Sequence, residues 1–194
     1  MTRAERAGQG EIRRTHLGQA RGRTLEIGAG NGFSVPYYTA QVDELTLVEP
    51  NPDLRALLAG PVSDAAPKSV VVTDGDVHAL DYPDATFDTV TASLVFCSVT
   101  HPHQALAEVH RVLKPGGRFL FHEHVRGSGL RAFLQDVVTP LQRRIADGCH
   151  ANRDFESLLA DSPLELDTLT RTRMPATVPT IVPLVVGAAR RTVW

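Results

Sequence analysis

The segment Thr24-Leu25-Glu26-Ile27-Gly28-Ala29-Gly30-Asn31-Gly32 constrains the chain more than any other. A short run with β-branched residues, broken at once by three glycines spaced two apart, reads as a strand ending in a sharp turn. The backbone of such a turn can approach a ligand closely, because glycine tolerates conformations that a Cβ forbids. A strand-turn-helix opening commits a chain to alternating α/β architecture, in which ligands bind outside the carboxyl ends of the strands. Taken alone, the pattern also fits a tight turn that holds nothing.

The remaining elements extend the alternation. Leu45–Val48 reads as a second strand, closed by Glu49-Pro50-Asn51-Pro52, and Leu54–Leu58 as a short helix. Ser69–Thr73 is a third strand, apolar enough to be expected buried on both faces, and Phe87–Ala92 a fourth. Leu106, Val109 and Leu113 share a helical face, and Lys114-Pro115-Gly116-Gly117 is expected to stop that helix before a fifth strand, Arg118–Phe121. Leu130–Ile145 reads as a longer helix. Asn152 is expected to cap another, with Phe155, Leu158 and Leu159 as its apolar stripe. Leu164–Leu169 and Ile181–Ala189 complete the set as a terminal strand pair.

The expected fold is therefore α/β: one domain with a doubly wound sheet of about seven strands, mostly parallel with an antiparallel terminal strand. A length of 194 residues fits one such domain. Residues 1–22 read as an N-terminal helix or lid, and 125–160 as a substrate-facing helical insertion. Residues 171–180, rich in proline and threonine, read either as a substrate-facing loop or as a plain connection.

Glu49 narrows the ligand. It stands about twenty residues after the glycine turn, at the end of the next strand, where a carboxylate can accept hydrogen bonds from both hydroxyls of a ribose. A dinucleotide fingerprint requires Gly-x-Gly-x-x-Gly, and here the third glycine comes one residue early. Glu26, just before the turn, offers a carboxylate to a ligand ammonium group. A cationic amino-acid ligand suits that better than a pyrophosphate.

With these residues in place, the sequence resembles the class I S-adenosylmethionine-dependent methyltransferases. The resemblance covers most of the chain and implies a Rossmann-like sheet. Leu25–Gly32 is similar to the family's first motif and Glu49 to its acidic ribose ligand. Gly75-Asp76-Val77-His78-Ala79-Leu80 is similar to its adenine-binding segment, and Glu108–Gly117 to the stretch before its fifth strand. The resemblance implies S-adenosylmethionine as cofactor, held by Glu26, Gly28, Ala29, Gly30, Asn31, Glu49, Pro50, Asn51, Asp76 and Val77. Ser93, Leu94 and Val95 are implied to line its methionine end, although plain core packing explains Leu94 and Val95 equally well. Asp88 is expected at the far end of its strand, away from the ligand.

A narrower resemblance concerns the methyl acceptor. Leu94–Val99, Glu123-His124-Val125 and Asp147-Gly148-Cys149 are similar to segments of the animal methyltransferase-like proteins that S-methylate small alkyl thiols, and of bacterial relatives. This implies a thiol acceptor, with oxygen or nitrogen of a small metabolite as the alternative and a cofactor-binding protein without turnover as another. His122 and His124 lie at the end of strand five on one face, with Glu123 on the other. His124 is the leading candidate base and His122 the second. Cys149 fits either a reactive thiol or plain packing, His78 a loop cap, and no metal site is expected.

Bulk properties limit the partners. A net charge of −2 without a basic stripe argues against nucleic acid and for a small-molecule acceptor. Two cysteines, no apolar leader and no span of membrane length lead to the expectation of a cytoplasmic protein without a membrane anchor. Oligomeric state stays open.

Overall fold

The computed structural model describes residues 8–63, 65–145, 148–174 and 182–193. Seven strands form one sheet: β1 (Gly22–Ile27), β2 (Val42–Val48), β3 (Ser69–Thr73), β4 (Phe87–Ser93), β5 (Leu113–His124), β6 (Glu165–Arg173) and β7 (Pro183–Arg190). Their spatial order is β3-β2-β1-β4-β5-β7-β6. The first five run parallel, and β7 inserts antiparallel between β5 and β6. Strand order reverses between β1 and β4, so the crevice at their carboxyl ends is where a ligand belongs. This is the expected doubly wound sheet with its antiparallel last strand.

The helices are α1 (Gly10–Leu17), α2 (Pro52–Leu57), α3 (Ala59–Ser63), α4 (Pro102–Val112), α5 (Gly129–Ile145) and α6 (Phe155–Ala160). Side chains alternate along β5, so each face gets its own core. Phe119 and Phe121 pack with Phe96 and Phe155 on one side, and Leu120 with Leu17, Tyr38 and Leu47 on the other. None of the described helices is long and apolar enough to cross a membrane.

Several expectations need correction. β3 is the edge strand of the described sheet and is fully covered on neither face, with Val71 and Val72 43% and 37% exposed. The cap of α6 is Asp154, whose carboxylate accepts from Ser157 N, while Asn152 donates to Asp136. An N-cap side chain must reach the third helical amide, and only Asp154 directly precedes the first turn. β5 begins at Leu113: its ladder with β4 breaks there and resumes at Arg118, leaving Lys114–Gly117 as a bulge. Ile181 and residues 175–180 lie outside the described residues.

Helix α5 inverts the usual pattern. Its buried side chains are Ala132, Gln135 and Thr139, whereas Leu130, Phe133, Val137, Leu141 and Ile145 are exposed. Gln135 explains the orientation: its amide donates to Val125 O and Ala151 O and accepts from Gly127 N, pinning the helix to both flanking loops.

Candidate active site

The glycine turn leaves β1 with Gly28, Gly30 and Gly32 all at positive φ. A Cβ on Gly28 would lie 2.7 Å from a Val95 methyl, so that glycine serves packing. A Cβ on Gly30 would meet nothing within 4 Å. The turn is therefore open on the side where a ligand would lie. Glu49 is buried at the end of β2, where Gly30 N–H donates to one carboxylate oxygen (2.8 Å) and Asn51 N–H to the other (2.9 Å). Each oxygen keeps a lone pair for a ribose hydroxyl. Asn51 itself caps α2 through its side chain, and Pro50 is exposed beside it. Ala29 is buried in the turn and Asn31 half-buried.

Asp76 and Val77 follow β3. The Asp76 carboxyl accepts from His78 N–H, which holds its pKa below the usual carboxylate range, and also contacts the His78 ring. His101 N–H donates to His78 Nε2, so His78 ties this loop to the start of α4. A second clamp comes from the stretch before β5. Glu108 accepts from Leu80 N, and Arg111 donates to Leu80 O, Tyr82 O and Glu108. Glu108 and Arg111 thus hold the loop that follows Asp76 in place. Asp88 sits at the opposite end of the sheet, paired with Lys114.

Beyond β4 the chain turns at Leu94, whose φ of 61° is unfavourable for a side chain with a Cβ. The turn is held from two sides: Leu94 N–H donates to His122 O, and the Glu123 carboxyl accepts from Val95 N (2.9 Å) and Phe96 N (3.2 Å). Glu123 is fully buried, and burial pushes its pKa up to about 8. Ser93 Oγ, just before the turn, is buried without a hydrogen-bond partner.

Helix α1 packs against β5 and brings two residues that sequence reasoning missed. Arg13 and His16 are buried there, near Glu26 and His122. The Glu26 carboxyl accepts from Tyr38 O–H (3.0 Å); burial pushes its pKa up to about 7, against hydrogen bonds from Ser34 and Tyr38 and the charge of Arg13. His122 is fully buried, and neither ring nitrogen has a hydrogen-bond partner. Burial and the nearby Arg13 and His16 hold it neutral, with a pKa near 3. Polar side chains buried without apolar periodicity on α1 leave little signal in a sequence.

His124 faces a different set of neighbours. Its Nε2 lies 3.1 Å from Cys149 Sγ, and Cys97 completes a buried cluster whose ligating atoms are all within 4.8 Å of one another. Burial opposes a charge on His124, yet its contacts with Cys97 and Glu123 raise its pKa overall. The hydrogen bond between the thiols pushes Cys97 up to about 12 and lowers Cys149. Cys97 had appeared only as part of a matched segment, so this pairing was not legible beforehand.

Residues 25–121 match the sequence family described as the methyltransferase domain. The chain belongs to this family. Thiol S-methyltransferase TMT1B of Rattus norvegicus is 36% identical over 135 residues, which is 67% of this chain and 54% of that protein. The chain thus spans about half the length of that relative. A phosphatidylethanolamine N-methyltransferase of Cereibacter sphaeroides is 30% identical over 78% of this chain and 74% of its own. Among solved structures, geranyl diphosphate C-methyltransferase of Streptomyces coelicolor, complexed with S-adenosyl-L-homocysteine, superposes with a TM-score of 0.71 at 16% identity, covering 95% of this chain and 77% of that one. The methyl donor of the family, S-adenosylmethionine, fits the residues present: an open glycine turn, a carboxylate fixed by two amides, and the orphaned polar atoms of Ser93 and His122.

Proposed function

We propose that this chain methylates the sulfur of a small-molecule thiol, with S-adenosylmethionine as donor. The observation that carries this reading is the similarity to a thiol S-methyltransferase over two thirds of the chain. The sulfur-rich, buried end of the site around Cys97, His124 and Cys149 supports it. The 30% identity to an N-methyltransferase makes a nitrogen acceptor the alternative.

In this reading Glu49 accepts from the ribose hydroxyls, Asp76 faces the adenine amino group, and Val77 packs beside the ring. The backbone from Gly28 to Asn31 lies along the cofactor, flanked by Pro50 and Asn51. Glu26 meets the ammonium of the methionine end, and Ser93, Leu94 and Val95 line the remainder. The bound cofactor supplies a methyl group on a sulfonium, an activated electrophile with its leaving group built in. What remains for the protein is alignment and the acceptor's proton. The described residues of 8–22 and of 125–160 enclose the acceptor in this reading. His122, neutral and without a partner, positions it, and His124 takes the thiol proton so that a thiolate attacks in line.

Incubation with methyl-labelled cofactor and a panel of alkyl thiols, phenols and amines tests the proposal. Label on thiols is the expected outcome. Label only on phenols or amines overturns the thiol reading. Intact cofactor binding with no transfer to any acceptor identifies a binding protein without turnover.

A further inference from the structure

We propose that Cys97, His124 and Cys149 bind one zinc-class metal ion, leaving a fourth coordination position for the sulfur of the acceptor. The fourth ligand rests on the thiol reading above; the three protein ligands do not. With metal bound, His124 is a ligand, and the ion takes over the task of ionising the acceptor.

The donor set is the first argument. Two thiols and an imidazole select a soft or borderline divalent ion, and three protein ligands with one open position are the pattern of catalytic zinc. Bonds of about 2.3 Å to sulfur and about 2.0 Å to nitrogen span the cluster after small side-chain adjustment, since Nε2 and one sulfur are already 3.1 Å apart. Two thiolates and a neutral imidazole balance a divalent charge, so the loaded centre is neutral and suits a buried location.

Pre-organisation is the second argument. The ligands come from three segments of the chain, and each segment is fixed by bonds that do not involve the ligands' own side chains. The turn carrying Cys97 is held by Glu123 through Val95 N and Phe96 N. His124 lies in the β5 ladder opposite Leu184. The Cys149 segment is anchored just after the cysteine, by His150 N–H donating to Cys97 O (2.8 Å) and by Gln135 donating to Ala151 O (2.7 Å). Backbone architecture thus brings the sulfurs and the imidazole together at the acceptor end, just beyond Ser93–Val95.

Ion binding releases the two thiol protons. A substrate thiol entering the fourth position gives up its own proton to solvent and attacks as a metal-bound sulfur. In the methyl transfer a carbon–sulfur bond forms at the acceptor as the cofactor's bond to the same carbon breaks, so charge and atoms balance without an oxidant or reductant.

Cobalt(II) titration of the full-length, chelator-stripped protein in a thiol-free reductant tests this. Expected are one ion per chain, a thiolate-to-cobalt charge-transfer band, intense tetrahedral d–d absorption and displacement by zinc. Cys97→Ser, Cys149→Ser and His124→Ala each weaken affinity by more than the about 10–100-fold seen for outer-shell partners. Addition of an alkyl thiol, but not a phenol, shifts the d–d bands. Cobalt bound without a thiolate band overturns the site, and that readout on unsubstituted protein stands even if the variants fail to fold. Undiminished thiol methylation by metal-free enzyme also overturns it while leaving the S-methyltransferase reading intact. Metal binding with no shift on thiol addition overturns the fourth position, and the acceptor panel then judges the thiol reading separately.

Discussion

In the proposed reading, Glu26 couples cofactor binding to pH, and the expected size of the coupling follows from its surroundings. Only 2% of the residue is exposed, and its carboxyl titrates at about 7 instead of 4.5. That displacement is worth about 3 kcal/mol at ~1.4 kcal/mol per unit. The folded-state pKa is raised, so the stability contributed by Glu26 is fully present below pH 4.5 and is lost as pH rises through about 7. A cationic ligand beside the carboxylate reverses the penalty and draws the pKa back toward its ordinary value. Binding at pH 7 then releases about half a proton per cofactor, and affinity weakens by about tenfold for each unit below 7 until the ordinary pKa is reached. Calorimetry at pH 7 in buffers of different ionisation enthalpy measures the released proton. Glu26→Gln abolishes its share of the release, weakens binding, and makes the unliganded protein more stable than wild type at pH 8, by up to about 3 kcal/mol. The stability difference vanishes toward pH 4.5. Binding heats at pH 7 that are the same for wild type and Glu26→Gln in every buffer, or a stability difference that ignores pH, would refute the reasoning.

Three further outcomes are expected. Gly30→Ala, whose Cβ points into open space, costs only the ~1–2 kcal/mol of a left-handed backbone yet abolishes cofactor binding in calorimetry; Gly28→Ala also drives a Cβ into Val95 and lowers the melting temperature further. Arg111→Ala removes the hydrogen bonds to Leu80 O and Tyr82 O and the two that orient Glu108, and raises the cofactor Kd by about tenfold, the equivalent of ~1.4 kcal/mol, with a smaller effect on melting. Glu123→Ala strands the amides of Val95 and Phe96 in the interior at about 1–3 kcal/mol each; Glu123→Gln retains a carbonyl acceptor and preserves most of that stability in urea titration.

The parts of this molecule that could be read from sequence are those whose physics is local. A glycine at positive φ and a carboxylate closing a strand each leave a short-range signature, and together they locate the crevice between β1 and β4. The errors came where neighbours in space decide. Ser69–Thr73 has the composition of an interior strand, but only the order of the whole sheet reveals that β3 lies at its edge. Helix α5 turns small and polar side chains inward because Gln135 answers backbone groups from two flanking loops, a demand invisible along the helix itself.

The same distinction separates the two ends of the site. The donor end is built from a turn and strand termini whose residue types are nearly dictated by backbone geometry and ribose chemistry, so four segments suffice to recognise it. At the proposed acceptor end, Arg13 and His16 come from α1, His122 and His124 from β5, Cys97 from the turn after β4, and Cys149 from beyond α5. No periodicity links these residues, and each type is common in ordinary cores. What binds them together is the tertiary fold: Glu123 fixes the turn of Cys97, and Gln135 with the His150–Cys97 bond fixes the segment of Cys149. A substitution at Gln135, outside the cluster, is therefore expected to disturb acceptor chemistry, whereas one at Glu123 also loosens Val95, which packs against Gly28 of the glycine turn. Gln135→Ala is expected to lower acceptor turnover in the labelled-cofactor assay while cofactor affinity, measured by calorimetry, is retained.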